Sequence, residues 1–188
     1  MPSPVAELLA DLAVAFQFAR LDWYLFGAQA AILHGAARLT ADVDVTVRLP
    51  ETTSNEQLAV LLEHHRFRRR IFHPDFTERT RVIPFVHAPT ALPLDVVLAS
   101  PGIEDRFFER VHERNVEGTP VRLASAEDLI VMKILAGRPK DVEDVRAIVA
   151  AYGDRLDASY IDDTLILLEQ ALAQSDLRPL FRQVVEGR

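Results

Sequence analysis

The 188-residue chain predicts an α/β (α+β) fold in which a mixed sheet is flanked by helices and followed by a C-terminal helical layer. Three observations carry that expectation. Within residues 24–47 an apolar strand gives way at Gly27 to a short apolar helix, and then to a strand of alternating character. The run over residues 93–99, PLDVVLA, is a further strand with little polar content. From Ser125 onward apolar residues recur at helical spacing, punctuated by caps and breakers. The expected division is a core over residues 1–123 and a helical region over residues 124–188 packed on it.

Each element has its own signal. Ser3-Pro4 is an N-cap followed by proline at the first helical position, and Val5, Leu8, Leu9, Leu12 and Phe16 give a helix over residues 4–19. Residues 23–26 form the first strand, and residues 28–34 a buried helix that Gly35 ends in a left-handed conformation. His34 reads as a packed or capping histidine. Pro50 stops the next strand, and Leu58, Leu61 and Leu62 mark a helix over residues 55–66. Val82 to Val86 is an apolar run, residues 103–114 read as a helix, and residues 115–123 as a hairpin turning at Glu117-Gly118. Ser125 and Asp128 make a capping box for a helix over residues 126–136, closed by Gly137 and Pro139. Further helices start near Asp141, after the cap Asp157, and from Leu177.

Composition narrows the function. An apolar content of 49% with 26% charged residues fits a soluble globular protein. There is no Cys, so a disulfide framework and a thiolate metal site are both excluded. No apolar run reaches bilayer length and no basic segment precedes an apolar core, which reads as a cytoplasmic protein with no membrane partner. The net charge of −7 argues against indiscriminate nucleic-acid binding but leaves room for a local basic patch. Lys133 and Lys140 are the only lysines among 21 basic residues, which makes each of them informative.

The chemistry-bearing residues cluster in two stretches. In the second strand Val43, Val45 and Val47 point to one face, and Asp42, Asp44 and Thr46 to the other. Two carboxylates on one face of a strand can share a cation, while a glycine turn before a helix offers backbone N–H groups to phosphate. Together they suggest metal-assisted chemistry on a nucleoside triphosphate. A solvated face is the plainer account of Asp-x-Asp, but a further carboxylate, Asp95, stands in the mostly apolar 93–99 strand, where burial without function is costly. Residues 66–81 form an arginine-rich run. Arg66, Arg68, Arg69 and Arg70, interleaved with Phe67, Phe72 and Phe76, suit either RNA contact or a solvated strand face.

Gly27, Asp42-Val43-Asp44-Val45 and Asp95 resemble the signature of the DNA polymerase β-like nucleotidyltransferase superfamily. That signature is a hydrophobic residue and Gly-[Gly/Ser], a spacer, Asp-hydrophobic-[Asp/Glu]-hydrophobic, and a third Asp on a later strand. Ala28 departs from it, losing a hydroxyl but keeping the backbone N–H. Arg38-Leu39-Thr40-Ala41-Asp42 is similar to the Arg-x-Thr-x-Asp string of AbiEii-like toxin nucleotidyltransferases. The string SAEDLIVMKILAGRPKDVEDV is similar to their helix with a central lysine followed by Arg-x-Lys-Asp-x-x-Asp, here Lys133, Arg138, Lys140, Asp141 and Asp144.

The resemblance implies a two-metal nucleotidyltransferase that moves a nucleoside monophosphate to an acceptor hydroxyl, as a toxin of a toxin–antitoxin pair acting on tRNA. Asp42, Asp44 and Asp95 would bind two Mg²⁺ ions, with Mn²⁺ as a substitute, and Asp95 would also help deprotonate the attacking hydroxyl. Gly27, Ala28, Arg38, Thr40 and Lys133 would contact the nucleotide, and Asp141 would support the site. Lys133 would thus be both catalytic and nucleotide-binding. Snorkelling of Lys133 and an N-cap role for Asp141 are the structural alternatives. Implied partners are a nucleoside triphosphate, a tRNA or other RNA acceptor, and a cognate antitoxin. Rival expectations are an aminoglycoside-type nucleotidyltransferase, which the acidic balance suits, and a degenerate member that binds RNA or a partner without catalysis, to which Ala28 points.

Overall fold

The computed structural model describes residues 2–70 and 75–186, so Phe72 of the arginine-rich run lies outside the described residues. The chain forms two compact units, Met1–Gln29 with Thr40–Ala124, and Ala30–Leu39 with Ser125–Arg188.

The first unit is built on a mixed sheet of seven strands among the described residues: β1 (Asp22–Phe26), β2 (Val43–Arg48), β3 (Phe67–Arg69), β4 (Val82–His87), β5 (Pro93–Leu98), β6 (His112–Val116) and β7 (Thr119–Leu123). Their spatial order is β3-β4-β5-β2-β1-β7-β6. The pairs β2/β5 and β1/β7 are parallel and the others antiparallel. The expected α/β fold with flanking helices and C-terminal helices is the fold observed. Register decides what each face carries, because residues directly opposite on paired strands share a face. Trp23, Leu25, Val43, Val45, Val47, Leu94, Val96, Leu98, Ile83 and Phe85 fall on one face and are all buried. Helix α1 (Pro4–Phe18) packs against β7, and helix α3 (Asn55–His64) against β3. The Phe16 ring lies 5.5 Å from that of Trp23. Ser3 caps α1 and Ser54 caps α3, the latter with a full capping box through Gln57.

The opposite face carries Tyr24, Asp44, Thr46, Asp95 and Val97. Helix α5 (Ile103–Glu109) covers its Tyr24 end: Phe108 meets Tyr24 edge-on at 4.8 Å, and the Arg48 guanidinium lies 4.2 Å over the Phe108 ring while pairing with Asp105 at 2.8 Å. Helix α2 (Gly27–Leu33) leaves β1 directly, and its residues from Ala30 onward count with the second unit.

The second unit is helical: α6 (Ala126–Ala136), α7 (Pro139–Tyr152), α8 (Ala158–Leu172) and α9 (Leu177–Glu186). Helix α6 packs on α7, α8 and α9. Ser125 and Asp157 cap α6 and α8 through their side chains, and Gly137 ends α6 at φ 62°. His34, a packed histidine, is buried with its Nδ1 2.6 Å from the Tyr152 hydroxyl. No helix among the described residues is long and apolar enough to cross a membrane.

The larger differences from the sequence expectation are three element boundaries and one added helix. Helix α3 stops at His64, because Arg66 takes a left-handed φ of 72° and turns the chain into β3. Helix α5 ends at Glu109, and His112–Val116 pairs with β7 instead; with Glu117 and Gly118 both at positive φ, hairpin pairing overrides the helical propensity of that polar stretch. Helix α7 begins at Pro139, with Arg138 as N-cap and Asp141 in the first turn. A short helix α4 (Phe76–Thr80), too brief to show periodicity, had no sequence signal.

Leu25 is fully buried and stands between Val45 and Leu123 at the centre of the sheet. Leu25→Ala is expected to cost about 2–5 kcal/mol, measured by urea unfolding, whereas truncating the exposed Val14 should leave stability nearly unchanged.

Candidate active site

The three aspartates of the first unit meet on one face of the sheet. Asp44 of β2 is directly opposite Asp95 of β5 in a parallel pair. Asp42 stands just before β2, exposed, two residues from Asp44 and on the same side by the alternation. The Asp42 N–H donates to the Thr40 hydroxyl at 3.2 Å, and the Gln29 side-chain amide donates to the Thr40 carbonyl at 3.1 Å. The buried Gln29, on α2, therefore holds the segment that presents Asp42.

Gly27 sits against this row. It has φ +69°, and a Cβ built on it would lie 2.0 Å from Asp44 Oδ2. Two independent constraints thus exclude any side chain, the left-handed backbone and the carboxylate pressed on its α-carbon. Ala28, the next residue, is partly exposed in the first turn of α2.

Burial pushes the Asp95 carboxyl above the ordinary carboxylate range; the Arg70 guanidinium pulls the other way, and the Asp42 charge adds to the rise. Register explains the Arg70 effect. Its backbone N–H donates to the Pro84 carbonyl at 2.9 Å, and Pro84 pairs with Asp95, so Arg70, Pro84, Asp95 and Asp44 form one cross-strand row. Among the described residues no three acidic or imidazole side chains converge tightly enough to enclose a metal ion as they stand. The aspartates instead offer an all-oxygen donor set on one face, chemistry that suits a hard divalent cation.

The arginine run does not present a single basic patch. Arg66 pairs with Glu7 at 3.2 Å and with Asp11 at 2.9 Å, and Arg69 pairs with Glu56 at 2.8 Å. Phe67 is buried, as an ordinary strand residue would be. Arg68 and Arg70 are exposed and alternate onto the face that carries the aspartates. The sequence offers Arg70 as an RNA contact or part of a solvated strand face; its neighbourhood to Asp95 depends on two strand pairings that no motif spells out.

Lys133 and Asp141 belong to the helical unit. Lys133 is buried on α6, with its ammonium 2.6 Å from Asp144 Oδ2 and 3.4 Å from Asp141 Oδ1. Asp144 also accepts from Arg38 at 2.8 Å, and Asp141 from Arg138. Lys133 therefore does not snorkel; it is held by two buried carboxylates on the neighbouring helix. Burial alone would raise the Asp141 pKa, but the Arg138 hydrogen bonds and the Lys133 and Arg138 charges outweigh it and hold the carboxyl below its ordinary range. Asp144 had no assigned role in the sequence reading. Its spacing of three from Asp141 on a helix was the available signal.

A mixed sheet with this carboxylate row and flanking helices defines the nucleotidyltransferase class of fold. The chain belongs to the family described as "Nucleotidyltransferase of unknown function (DUF6036)", whose model matches residues 7–176. No curated protein matches the chain. Solved structures share the fold. An antigenic nucleotidyltransferase-like protein from Paracoccidioides brasiliensis is similar at 17% identity and a TM-score of 0.61, over 95% of this chain and 92% of that one. The antibiotic-resistance factor ANT(2'')-Ia is similar at 17% identity and a TM-score of 0.64, over 92% and 95%; a second structure of it is a complex with adenylyl-2''-tobramycin. The lincosamide antibiotic adenylyltransferase LnuA, lincomycin-bound, is similar at 11% identity and a TM-score of 0.52, over 74% and 93%.

Two outcomes follow from this geometry. Gly27→Ala should cost about 1–2 kcal/mol for the left-handed backbone alone and displace Asp44 besides, whereas Ala28→Gly should cost no more than about 1 kcal/mol; chemical denaturation of both variants checks this. Because the folded Asp141 pKa is depressed, its stabilisation is full above the unfolded value, about 3.9, and is lost as pH falls through the folded one. Asp141→Asn should therefore destabilise at pH 7, and the gap from the parent should close in melts recorded at progressively lower pH below about 4.

Proposed function

We propose that the protein is a divalent-metal-dependent nucleotidyltransferase that moves a nucleoside monophosphate from a nucleoside triphosphate to an acceptor hydroxyl. The single observation behind this reading is the carboxylate row, with Asp44 opposite Asp95, Asp42 on the same face, and Gly27 stripped of a side chain where Asp44 lies. Asp42, Asp44 and Asp95 would hold two Mg²⁺ ions, for which Mn²⁺ can substitute; when bound, these neutralise triphosphate charge and make the acceptor hydroxyl easier to ionise. Asp95, raised in pKa by its surroundings, is suited to accept the hydroxyl proton at a carboxylate oxygen. Gly27 and Ala28 would lend backbone N–H groups to phosphate, and Thr40 fixes the approach to Asp42. Arg38 and Lys133 are the phosphate-binding cations in this reading, with Asp141 holding Lys133 in place.

The acceptor in our reading is a small molecule. Support comes from the antibiotic adenylyltransferases that share the fold, from the net charge of −7, and from the neutralisation of Arg66 and Arg69 by carboxylates. A second reading, transfer to tRNA by an AbiEii-like toxin with a cognate antitoxin, is favoured by one observation: Arg68 and Arg70 lie on the face of the aspartates. A third, nucleotide or RNA binding without catalysis, is an outcome of the same test.

Incubation with labelled nucleoside triphosphates, Mg²⁺ and either aminoglycoside and lincosamide acceptors or total RNA separates them. We expect label on the small molecule, loss of transfer on chelation of the metal, and transfer reduced to background by Asp→Asn at 42, 44 or 95 in proteins that melt like the parent. Label on RNA, lost in an Arg68→Glu/Arg70→Glu variant, would establish the second reading. Binding with no transfer to either acceptor would establish the third.

A further inference from the structure

A cavity of about 410 Å³ lies wholly within the first unit, at the end of β1 remote from Gly27, and Phe16, Leu21 and Trp23 form its buried floor. Trp23 and Gly27 are four residues apart along an extended strand, about 13 Å at 3.3 Å per residue, so this cavity is separate from the carboxylate row. Four charged side chains stand around it, Arg20, Asp22, Glu113 and Arg122. The Arg122 guanidinium is spent on Asp22 at 2.7 Å. Glu113 stands directly opposite Arg122 on β6 and would be its ordinary cross-strand partner, yet with Arg122 turned to Asp22 it pairs with no cation among the described residues. The Arg20 side chain likewise has no partner among the described residues. Its backbone is held at φ 53° by two bonds, from the Arg20 N–H to the Gln17 carbonyl at 3.1 Å and from the Leu21 N–H to the Phe16 carbonyl at 2.9 Å. Glycine or asparagine takes that conformation at lower cost, and no contact among the described residues accounts for an arginine there.

We propose that this cavity binds a small zwitterion with an apolar body, the chemistry of a free hydrophobic amino acid, with its carboxylate on Arg20, its ammonium on Glu113 and its side chain against the aromatic floor. Charge selects the class. Two guanidinium groups and two carboxylates sum to zero, so the cavity favours neither a polyanion nor a polycation, although the whole chain carries −7. Asp22 and Arg122 satisfy each other, which leaves one cation and one anion for a ligand that carries one of each. The volume lies toward the lower end of small-molecule pockets, which run from about 300 to 1,000 Å³. The closed turn fixes the root of Arg20 and the β6/β7 pairing fixes that of Glu113, so binding has only two side chains to order. This site is independent of the nucleotidyltransferase reading.

Trp23 is the only tryptophan of the chain, so its fluorescence reports on this cavity. The full chain is titrated with L-leucine, L-isoleucine and L-phenylalanine, and affinities are checked by calorimetry. At least one of them should give a saturable change. Its analogues lacking the ammonium or lacking the carboxylate should bind about tenfold more weakly, the worth of one charge-assisted contact. Arg20→Gln should weaken the amino acid about tenfold yet leave the carboxylate-free amine unaffected. Glu113→Gln should weaken the amino acid equally and spare the ammonium-free acid instead. Both changes are at exposed positions, and melts matching the parent verify the fold. Absence of a saturable change with every amino acid up to about 10 mM overturns the proposal. So does equal binding of the amino acid and its two analogues, or unaltered affinity in either variant. Saturable binding of inorganic phosphate with no response to the amino acids would make this an anion site and would overturn it as well.

Discussion

The first unit is constrained above all by the pressing of the Asp44 carboxylate onto the α-carbon of Gly27. Asp44 stands in the central strand of the sheet, with β1 on one side and β5 on the other. A carboxylate at such a position, opposite a second carboxylate, opposes stability, since both must surrender hydration near a like charge. The surrounding residues serve to tolerate it. Gly27 clears the volume above it, Gln29 and Thr40 hold the segment that brings Asp42 alongside, and Arg70 supplies a positive charge across Pro84. The hydrophobic work is done on the other face, where the valines of β2 meet Leu94, Val96 and Leu25. The alternation of one strand thereby separates the two demands, packing on one side and charge on the other.

The helical unit meets a similar electrostatic problem differently. Its buried carboxylates Asp141 and Asp144 are one helical turn apart on α7 and would repel each other alone. Lys133 on α6 reaches both, and Arg38 and Arg138 close the network at its ends. Lysine fits the central place, because a compact ammonium with rotatable donors can serve two acceptors from different directions. Such a network holds α6 to α7 by directed bonds where Leu129 and Val145 supply undirected burial. Deleting one partner would leave a buried charge uncompensated, which costs more than the pair itself contributes.

Much of this was legible in the sequence. The fold class followed from periodicity: the alternation through Val43, Val45 and Val47, and the helical spacing after Ser125, survive intact in the structure. Caps were equally clear at Ser3, Ser125 and Asp157, where a side-chain oxygen meets a backbone N–H three residues on. Illegible were features that depend on pairing between distant segments. The strand at His112–Val116 has a polar, exposed face and exists because β7 is beside it, so no local preference announces it. The same holds for Arg70, whose place by Asp95 is fixed only by the β3/β4 and β4/β5 registers. Asp44 and Asp95 could be nominated from a motif, but their direct opposition requires a parallel pairing across fifty residues of chain. Lys133 stands out in the sequence as one of two lysines, while its carboxylate partners could not be read from composition.

The two carboxylate clusters also differ in a way that bears on which of them can take a metal. Around Asp141 the cations are close, fixed and hydrogen-bonded, and they outweigh burial, so the carboxyl lies below its ordinary range. Around Asp95 burial wins, the nearest compensating charge is a guanidinium on an exposed strand end, and Asp42 adds to the strain, so the carboxyl lies above its ordinary range. A fully compensated carboxylate gains little from a further cation, which must first displace an ammonium or guanidinium already paired in low dielectric. An under-compensated group has no such partner to lose, and its excess free energy is released when a cation arrives. Sign and cause of the two shifts therefore set the groups apart: fixed cations outweigh burial at Asp141, whereas at Asp95 burial outweighs the Arg70 charge.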